Sequence, residues 1–234
     1  MAPVAGRAVS ERRPIVAVDG PAGVGKSTAA RGLAERLGFE YIDTGSLYRA
    51  LAWRMLSRGD DPADPERALA HCREMRLEFR RVGGWGEVFV DGREVSGALR
   101  GEKAGEAASV VSAHPGVRKA LLGLQRQLGA RGGVVAEGRD IGTVVFPEAP
   151  LKFFLDAEPE VRVARRLAEL GVGGEEKEAL AEKLRARDLR DREREVAPLR
   201  PAHDAIRLDT SGMSVDEVIA FMLKEFELRF GAKG

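Results

Sequence analysis

The chain has 234 residues, 38 Lys and Arg against 37 Asp and Glu, and a single cysteine, Cys72. This length can bury a sizeable core and suits one α/β domain with insertions, whereas one thiol excludes an intramolecular disulfide or a cysteine zinc cluster. The near-zero net charge gives no electrostatic case for nucleic acid, and no stretch resembles a membrane span or a secretion signal. We therefore expect a cytoplasmic protein with neither nucleic-acid nor membrane partners.

The first predicted elements surround a glycine-rich loop. Residues 1–13 are small, polar and basic, which indicates a disordered leader. Ile15 to Val18 is an apolar, β-branched run typical of a strand buried in a parallel sheet. The sequence then reads G-P-A-G-V-G-K-S-T and opens a helix that Gly38 ends. A G-x-x-x-x-G-K-S pattern between a strand and a helix predicts a phosphate-binding loop.

This loop predicts a nucleoside triphosphate site. Its glycines allow the backbone N–H groups to turn inward onto phosphate oxygens. Lys26 is expected to reach the β- and γ-phosphates of ATP, and the Ser27 hydroxyl to bind Mg²⁺. The predicted nucleotide-binding residues are Gly20, Pro21, Ala22, Gly23, Val24, Gly25, Lys26, Ser27 and Thr28.

The middle of the chain changes its hydrophobic period. A short strand over 39–42 leads into Asp43-Thr44-Gly45-Ser46, which caps a helix running to Ser57, and Arg49 lies one turn into that helix. One helix, three short strands and two helices follow, and turns at Gly83-Gly84 and Asp91-Gly92 between the strands indicate a small antiparallel insertion. The predicted segments are helices over 60–74, 104–112 and 115–128 and strands over 77–81, 87–90 and 93–95.

Charged residues follow the next predicted strand directly. Residues 132–136 are expected to form a buried strand that ends in Glu137-Gly138-Arg139-Asp140. Because ligands of open α/β sheets bind beyond the carboxyl ends of the strands, Arg139 and Asp140 are candidate site residues. Another strand is predicted over 152–156.

The remaining chain is rich in arginine. A helix after Asp156 carries Arg162, Arg165 and Arg166, and a second charged helix spans 175–194. A charged helix is usually solvated with i,i+4 ion pairs, but here four side chains share one face and are predicted to converge on a polyanion: Arg187, Arg190, Asp191 and Arg194. A last strand over 205–208 and a helix capped by Ser214 complete the chain.

These features together favour phosphoryl transfer. That reaction requires positioning of the phosphates and neutralisation of their charge, so arginines converging from several segments are its expected signature. The base-reading Asn-Lys-x-Asp run of GTPases is absent from the sequence. A protein kinase would need a different glycine-rich loop and a catalytic-loop aspartate.

Four motifs carry a resemblance to the bacterial cytidylate kinases. They are Gly20 to Thr28, Asp43 to Arg49, Glu137-Gly-Arg-Asp-Ile-Gly-Thr-Val-Val-Phe-Pro147, and Arg187 to Arg194 followed by Val196-Ala-Pro-Leu199. The resemblance covers the chain from Pro14 to the last helix. It implies the nucleoside monophosphate kinase fold, in which a parallel sheet flanked by helices carries a lid, a monophosphate-binding part and an antiparallel insertion. The implied reaction transfers the γ-phosphoryl group of ATP, with Mg²⁺, to CMP or dCMP.

The resemblance also implies roles for individual residues. Thr44, Arg49 and Arg139 would hold the acceptor phosphate. The cytosine readers would be Ser109, Arg118 and Asp140, because an amino donor suits a carboxylate and ring acceptors suit an arginine. The ribose contacts would be Arg187 and Asp191, with Arg194 near base and phosphates. The implied catalytic residues are Lys26, Arg139, Arg165, Arg187 and Arg194.

The implied organisation is a single kinase domain over 14–234, which we expect to be monomeric. Its core would comprise 14–43, 130–160 and 200–234, its monophosphate-binding part 44–129, and its lid about 161–194 with a hinge at Gly171-Val172-Gly173-Gly174. Two residues depart from the family pattern: Thr44 stands where serine is common, and Glu137 where aspartate is common. The latter carboxylate has no assigned role.

Two other functions stay open on the sequence. A P-loop kinase of the same architecture would act on UMP, dTMP or a shikimate-like alcohol. A nucleotide-dependent ATPase would use the arginine-rich helix to hold nucleic acid, against which stand the near-zero net charge and the lack of a nucleic-acid-reading motif.

Overall fold

The computed structural model describes residues 13–82, 85–171 and 173–231. Three sequence predictions fall outside them: the leader up to residue 12, the Gly83-Gly84 turn and Val172 of the hinge. Arg13, the last residue of the predicted leader, donates hydrogen bonds to the carbonyl oxygens of Leu37 and Gly38. These contacts tie the start of the described chain to the end of the first helix.

The described part of the chain contains both strands and helices throughout its length. The strands are β1 (Ile15–Asp19), β2 (Glu40–Asp43), β3 (Leu77–Val82), β4 (Trp85–Val90), β5 (Arg93–Glu94), β6 (Val134–Gly138), β7 (Leu151–Asp156) and β8 (Ile206–Asp209). The helices are α1 (Lys26–Leu37), α2 (Gly45–Ser57), α3 (Pro65–Glu74), α4 (Glu102–Val111), α5 (Pro115–Leu128), α6 (Pro159–Leu170), α7 (Lys177–Glu193) and α8 (Val215–Phe230).

A parallel five-stranded sheet lies at the centre, in the order β2-β6-β1-β7-β8. Val16, Ala17 and Val18 of its middle strand are completely buried, because helices cover both faces. In this register Asp19 lies beside Gly138, and Asp43 beside Glu137. The polar residues near the carboxyl ends of β1, β2 and β6 therefore meet at one end of the sheet, next to the predicted site residues Arg139 and Asp140.

Two apolar layers enclose the sheet. On one face α1 and α8 contribute Leu33, Leu37, Met222 and Phe226 to a core with β1 and β7. The other face packs against residues that follow β6, including Ile141, Val145 and Phe146. This double covering fixes the strand ends, and with them the loops that they carry.

A second group of helices and strands lies beside the parallel sheet. Helices α2, α3, α4 and α5 share one apolar cluster, and α2 also packs against the small antiparallel sheet β3-β4-β5. The antiparallel insertion is therefore confirmed. The predicted start of α3 at residue 60 is wrong, because the helix begins at Pro65. Asp64 caps it by accepting hydrogen bonds from the backbone N–H groups of Glu66 and Arg67.

One element was not predicted at all. Residues Ile141–Val145, directly after Asp140, form a single π-helical turn. The carbonyl oxygens of Val144 and Val145 accept hydrogen bonds from the Arg126 guanidinium at 2.9 and 3.1 Å, which compensates for the irregular backbone pattern. Among the described helices, none is both long and apolar enough to cross a bilayer.

Candidate active site

The strand ends open into a cleft of about 1400 Å³. Of the predicted nucleotide-binding, substrate-binding and catalytic residues, all but Gly20 and Pro21 line it. The cleft joins the loop after β1 to helices α2, α4 and α5 on one side and to α6 and α7 on the other. Residues far apart in the chain, such as Lys26 and Arg194, therefore share one space.

The loop after β1 has a backbone that only glycine fits at two points. Gly20 has a φ of +152°, and a Cβ there would stand 2.2 Å from the carbonyl oxygen of Leu155. Gly23 has a φ of +75°, and a Cβ there would stand 3.0 Å from the carbonyl oxygen of Arg162. The loop is thus pressed against β7 and α6, which holds its amides at the start of α1.

Lys26 is the most buried cation of the loop region. It is 5% exposed, and its Nζ donates to the Pro21 carbonyl oxygen at 2.8 Å. Burial, followed by the positive charge of Arg139, lowers the pKa of Lys26 to about 7, and the negative charge of Glu137 opposes this shift. An anion in the cleft would favour the charged form of this amine.

Ser27 is hydrogen-bonded to a carboxylate on β6, the strand next to β1. Its Oγ lies 2.5 Å from Glu137 Oε1, and the same Oε1 accepts the phenol hydroxyl of Tyr41 at 2.9 Å. Burial, followed by the charge of Glu137, raises the pKa of Tyr41 far above its ordinary value, so the hydroxyl remains a donor. Sequence reasoning missed Tyr41, because strand alternation treats it only as a residue packing against the core.

Asp19 is a second residue that the sequence did not single out. It is 3% exposed, and its two oxygens accept the backbone N–H groups of Ile141 and Gly142 at 2.8 and 2.7 Å. Burial raises its pKa to about 7 against the lowering effect of these two hydrogen bonds. Asp19 thereby links the end of β1 to the π-helical turn that follows Asp140.

The part of the cleft beside α5 contains a buried ion pair. Arg118 Nη2 donates to Asp140 Oδ2 at 2.5 Å, while its Nη1 donates to the Ser112 carbonyl oxygen at 3.2 Å. Arg194 approaches the other oxygen of Asp140 at 3.5 Å. Arg118 Nε and Arg194 Nη2 are buried without a hydrogen-bond partner among the described residues. Two cations with spare donors therefore surround one carboxylate.

A second ion pair, Arg139–Asp191, lies between the Arg118–Asp140 pair and the loop after β1. Arg139 Nε donates to Asp191 Oδ2 at 2.9 Å. Burial opposes the ionisation of Asp191, yet Arg139 and Arg187 outweigh it and hold its pKa below the ordinary value. Burial, followed by the charge of Arg139, lowers the pKa of Arg187 to about 10, and its Nε is buried without a hydrogen-bond partner in the described structure. Because the charges of Arg139 and Arg187 repel each other, an anion between them would be favourable.

The remaining predicted acceptor residues are held by local contacts. Thr44 Oγ1 donates to the Glu137 carbonyl oxygen at 2.8 Å, and Arg49 forms an ion pair with Asp43. Ser109 is buried, and its Oγ accepts a hydrogen bond from Arg190 at 3.2 Å. Arg190, predicted to converge with its neighbours on a polyanion, is thus directed towards α4.

The arginines of α6 have different partners. Arg165 donates to the carbonyl oxygens of Val24 and Thr210 at 3.2 and 2.6 Å, so its guanidinium binds the backbone around the loop. Arg166 instead donates to Glu102 of α4 at 2.9 Å. Neighbouring residues of one helix therefore contact opposite sides of the cleft.

Comparison with known proteins agrees with this arrangement. A sequence model of the cytidylate kinase family matches residues 16–228. The chain is 46% identical over 229 residues to a bifunctional pantoate ligase/cytidylate kinase of Gloeobacter violaceus, covering 94% of this chain and 44% of that protein. It is 46% identical over 224 residues to a protein of the same description from Synechococcus sp. (strain CC9311), covering 94% and 45%. The chain thus spans about half the length of these curated relatives.

Among solved structures, an uncharacterised protein from Eubacterium ventriosum superposes with a TM-score of 0.51 at 12% identity, over 93% of this chain and 99% of the other. This likeness concerns the fold alone. The family match extends from β1 into α8 and includes every part of the cleft. The chain belongs to the cytidylate kinase family.

Proposed function

We propose that this chain transfers the γ-phosphoryl group of ATP to CMP or dCMP and releases ADP with CDP or dCDP. The observation that carries the proposal is the continuity of the cleft, which joins the phosphate-binding loop to the buried Arg118–Asp140 pair. A hydrolase of ATP would need only the phosphate-binding loop. A second buried recognition site in the same space supports transfer between two bound substrates.

The Arg118–Asp140 pair has the chemistry to read cytosine. An ionised carboxylate accepts hydrogen bonds only, which suits the exocyclic amino group of cytosine, and a guanidinium donates to the ring acceptors. Uracil carries a carbonyl where cytosine carries the amino group, so it would meet the carboxylate with like polarity. Ser109, 3% exposed and on the neighbouring α4, adds a hydroxyl to the same pocket.

The phosphates would lie between the loop and the arginines opposite it. Lys26 would contact the β- and γ-phosphates, and Thr44, Arg49 and Arg139 the acceptor phosphate. Arg187 would neutralise charge as the phosphoryl group passes, because its buried Nε has no competing hydrogen bond in the described structure. We assign the ribose to Arg187 and Asp191, and to Arg194 a place near base and phosphates.

The residues beside the loop suit Mg²⁺. Ser27 and Glu137 offer hydroxyl and carboxylate oxygens 2.5 Å apart, which are ligand types that Mg²⁺ prefers. The described residues contain no cluster of three or more His, Cys, Asp and Glu side chains that could enclose a metal ion. This fits an ion that takes most of its ligands from phosphates and water. When bound, the ion would neutralise phosphate charge at this end of the cleft.

We also propose a division of labour within the chain. The core (14–43, 130–160 and 200–234) would hold ATP, the part from 44 to 129 the monophosphate, and a lid over about 161–194 would close on both. The lid helices α6 and α7 pack on each other and on Ala22 of the loop. Closure of such a lid would exclude water, which otherwise competes as the phosphoryl acceptor.

A coupled assay of ADP release tests the proposal with CMP, dCMP, UMP, AMP, dTMP and shikimate as acceptors. We expect CMP and dCMP to be the preferred substrates, with kcat/KM for CMP roughly 10- to 100-fold above that for UMP. Asp140→Asn should narrow this ratio, and the ratio is insensitive to the fraction of folded protein. A preference for another acceptor, or salt-sensitive DNA binding without CMP-stimulated ADP release, would overturn the assignment.

A further inference from the structure

Tyr41, Glu137 and Ser27 form a chain of hydrogen bonds at the triphosphate end of the cleft. Ser27 lies in the first turn of α1, Tyr41 in β2 and Glu137 in β6. Both hydroxyls are directed to the same carboxylate oxygen, at 2.5 Å from Ser27 and 2.9 Å from Tyr41. The parallel register sets Asp43 beside Glu137, so Tyr41, two residues earlier, shares a sheet face with both.

We propose that Tyr41 is a positioning residue that fixes the Glu137 carboxylate. Glu137 then accepts the hydrogen bond that the Ser27 hydroxyl donates, and the lone pairs of Ser27 Oγ remain available to a divalent cation. This inference rests on the proposed metal site. It adds a residue outside the phosphate-binding motif, and it gives Glu137 a role.

The numbers of donors and acceptors leave the lone pairs of Ser27 Oγ available to a cation. A serine hydroxyl has one proton and two lone pairs, and a carboxylate only accepts. Because the proton of Ser27 is engaged by Glu137, the lone pairs of Oγ remain available. The phenol hydroxyl of Tyr41 donates to the same oxygen and so restricts a glutamate side chain that has three rotatable torsions.

Competing cations make this restriction useful. The charges of Lys26 and Arg139 both interact with Glu137. If Glu137 turned to pair with either cation, its hydrogen bond with Ser27 would break. It would also neutralise a positive charge that is proposed to contact phosphate. Two hydroxyl donors at 2.5 and 2.9 Å hold the carboxylate on the Ser27 side instead.

The tyrosine ring is held independently of its hydroxyl. Tyr41 packs against the core cluster that contains α1, and the Arg31 guanidinium lies 5.3 Å from its ring centre. Tyr41→Phe therefore removes one hydrogen bond and retains the packing. This separates positioning of Glu137 from a purely structural contribution of the ring.

The test measures Mn²⁺ affinity of the ADP-bound chain from the free-Mn²⁺ signal in electron paramagnetic resonance. We expect Tyr41→Phe to weaken this affinity roughly tenfold, at the low end for loss of a supporting hydrogen bond around a metal ligand. Tyr48→Phe, at the other tyrosine, should leave it unchanged. In a Glu137→Gln background, Tyr41→Phe should add less than about a twofold loss.

Failure of this inference differs from failure of the proposed metal site. If the wild-type chain with ADP bound no Mn²⁺, the metal site itself would be refuted. If the wild type bound Mn²⁺ and Tyr41→Phe bound it equally well, or if its effect added fully to that of Glu137→Gln, the role of Tyr41 would be overturned. Should Tyr41→Phe not fold, Glu137→Asp with Tyr41 intact is expected to show the same loss of affinity, because its carboxylate is one methylene further from both hydroxyls. Unchanged affinity there would also contradict the inference.

Discussion

The ion pair between Arg162 of α6 and Asp188 of α7 fastens both helices to the phosphate-binding loop. Their side chains are only 9% and 8% exposed. Asp188 accepts the backbone N–H of Ala22 at 3.4 Å, and Arg162 donates to the carbonyl oxygen of the same residue at 3.3 Å. The pair therefore joins the proposed lid to the loop at one point.

We predict that Asp188→Asn lowers the free energy of unfolding by about 3–5 kcal/mol, since it leaves the charge of Arg162 buried without its counter-ion. For a chain of this length, each kcal/mol corresponds to about 2–4 °C in Tm, so a loss of roughly 6–20 °C is expected. Thermal unfolding followed by far-ultraviolet circular dichroism measures this directly.

A matched control lies on the same helix. Glu182 is 3.8 Å from Arg185, but the two side chains are 76% and 68% exposed. Glu182→Gln should cost less than about 1 kcal/mol, because solvent screens an exposed pair. Replacing both Arg162 and Asp188 by apolar residues should recover most of the stability. The reasoning is refuted if Asp188→Asn and Glu182→Gln lower Tm by similar amounts.

Three other variants probe the cleft. Lys26→Ala should reduce kcat at least about 100-fold. It should not lower Tm, because burial lowers the pKa of this amine to about 7 and its charge therefore destabilises the free chain. Near-wild-type turnover would contradict the role of the loop. Glu102→Gln breaks the ion pair with Arg166 across the cleft. It should raise KM for CMP about fivefold, on the scale of about 1 kcal/mol, with little change in kcat. An unchanged KM would show that this ion pair does not contribute to CMP binding. Gly138→Ala would place a Cβ 2.6 Å from Thr44 Oγ1. It should lower the free energy of unfolding in urea by about 1–3 kcal/mol. An unchanged free energy would show that the backbone at the end of β6 can move to accept the methyl group.

The sequence predicted the parts of the fold that depend on local pattern. Apolar and alternating runs predicted the strands of the parallel sheet, and the motif Gly20 to Thr28 predicted a glycine-rich loop between β1 and α1. The position of Arg139 and Asp140 in the cleft could be predicted because they follow a buried strand directly. Each of these signals lies within a few neighbouring residues.

Other features depend on contacts between distant segments and leave no local signal. Tyr41 reaches Glu137 across 96 positions, and Asp19 reaches the amides of the π-helical turn across more than 120. The different directions of Arg165 and Arg166 follow from partners on α4 and in the loop after β8, which sequence spacing does not specify. Periodicity assigns these residues to a face of an element but does not identify their partners.

The central claim is transfer of a phosphoryl group from ATP to a cytidine monophosphate. Phosphorus-31 NMR of one sample containing the chain, ATP, Mg²⁺ and CMP tests it most directly, because donor, acceptor and products are all observed. We predict equal amounts of ADP and CDP with no inorganic phosphate. Release of inorganic phosphate with CMP unchanged, or conversion of UMP in preference to CMP in a parallel sample, would contradict the account.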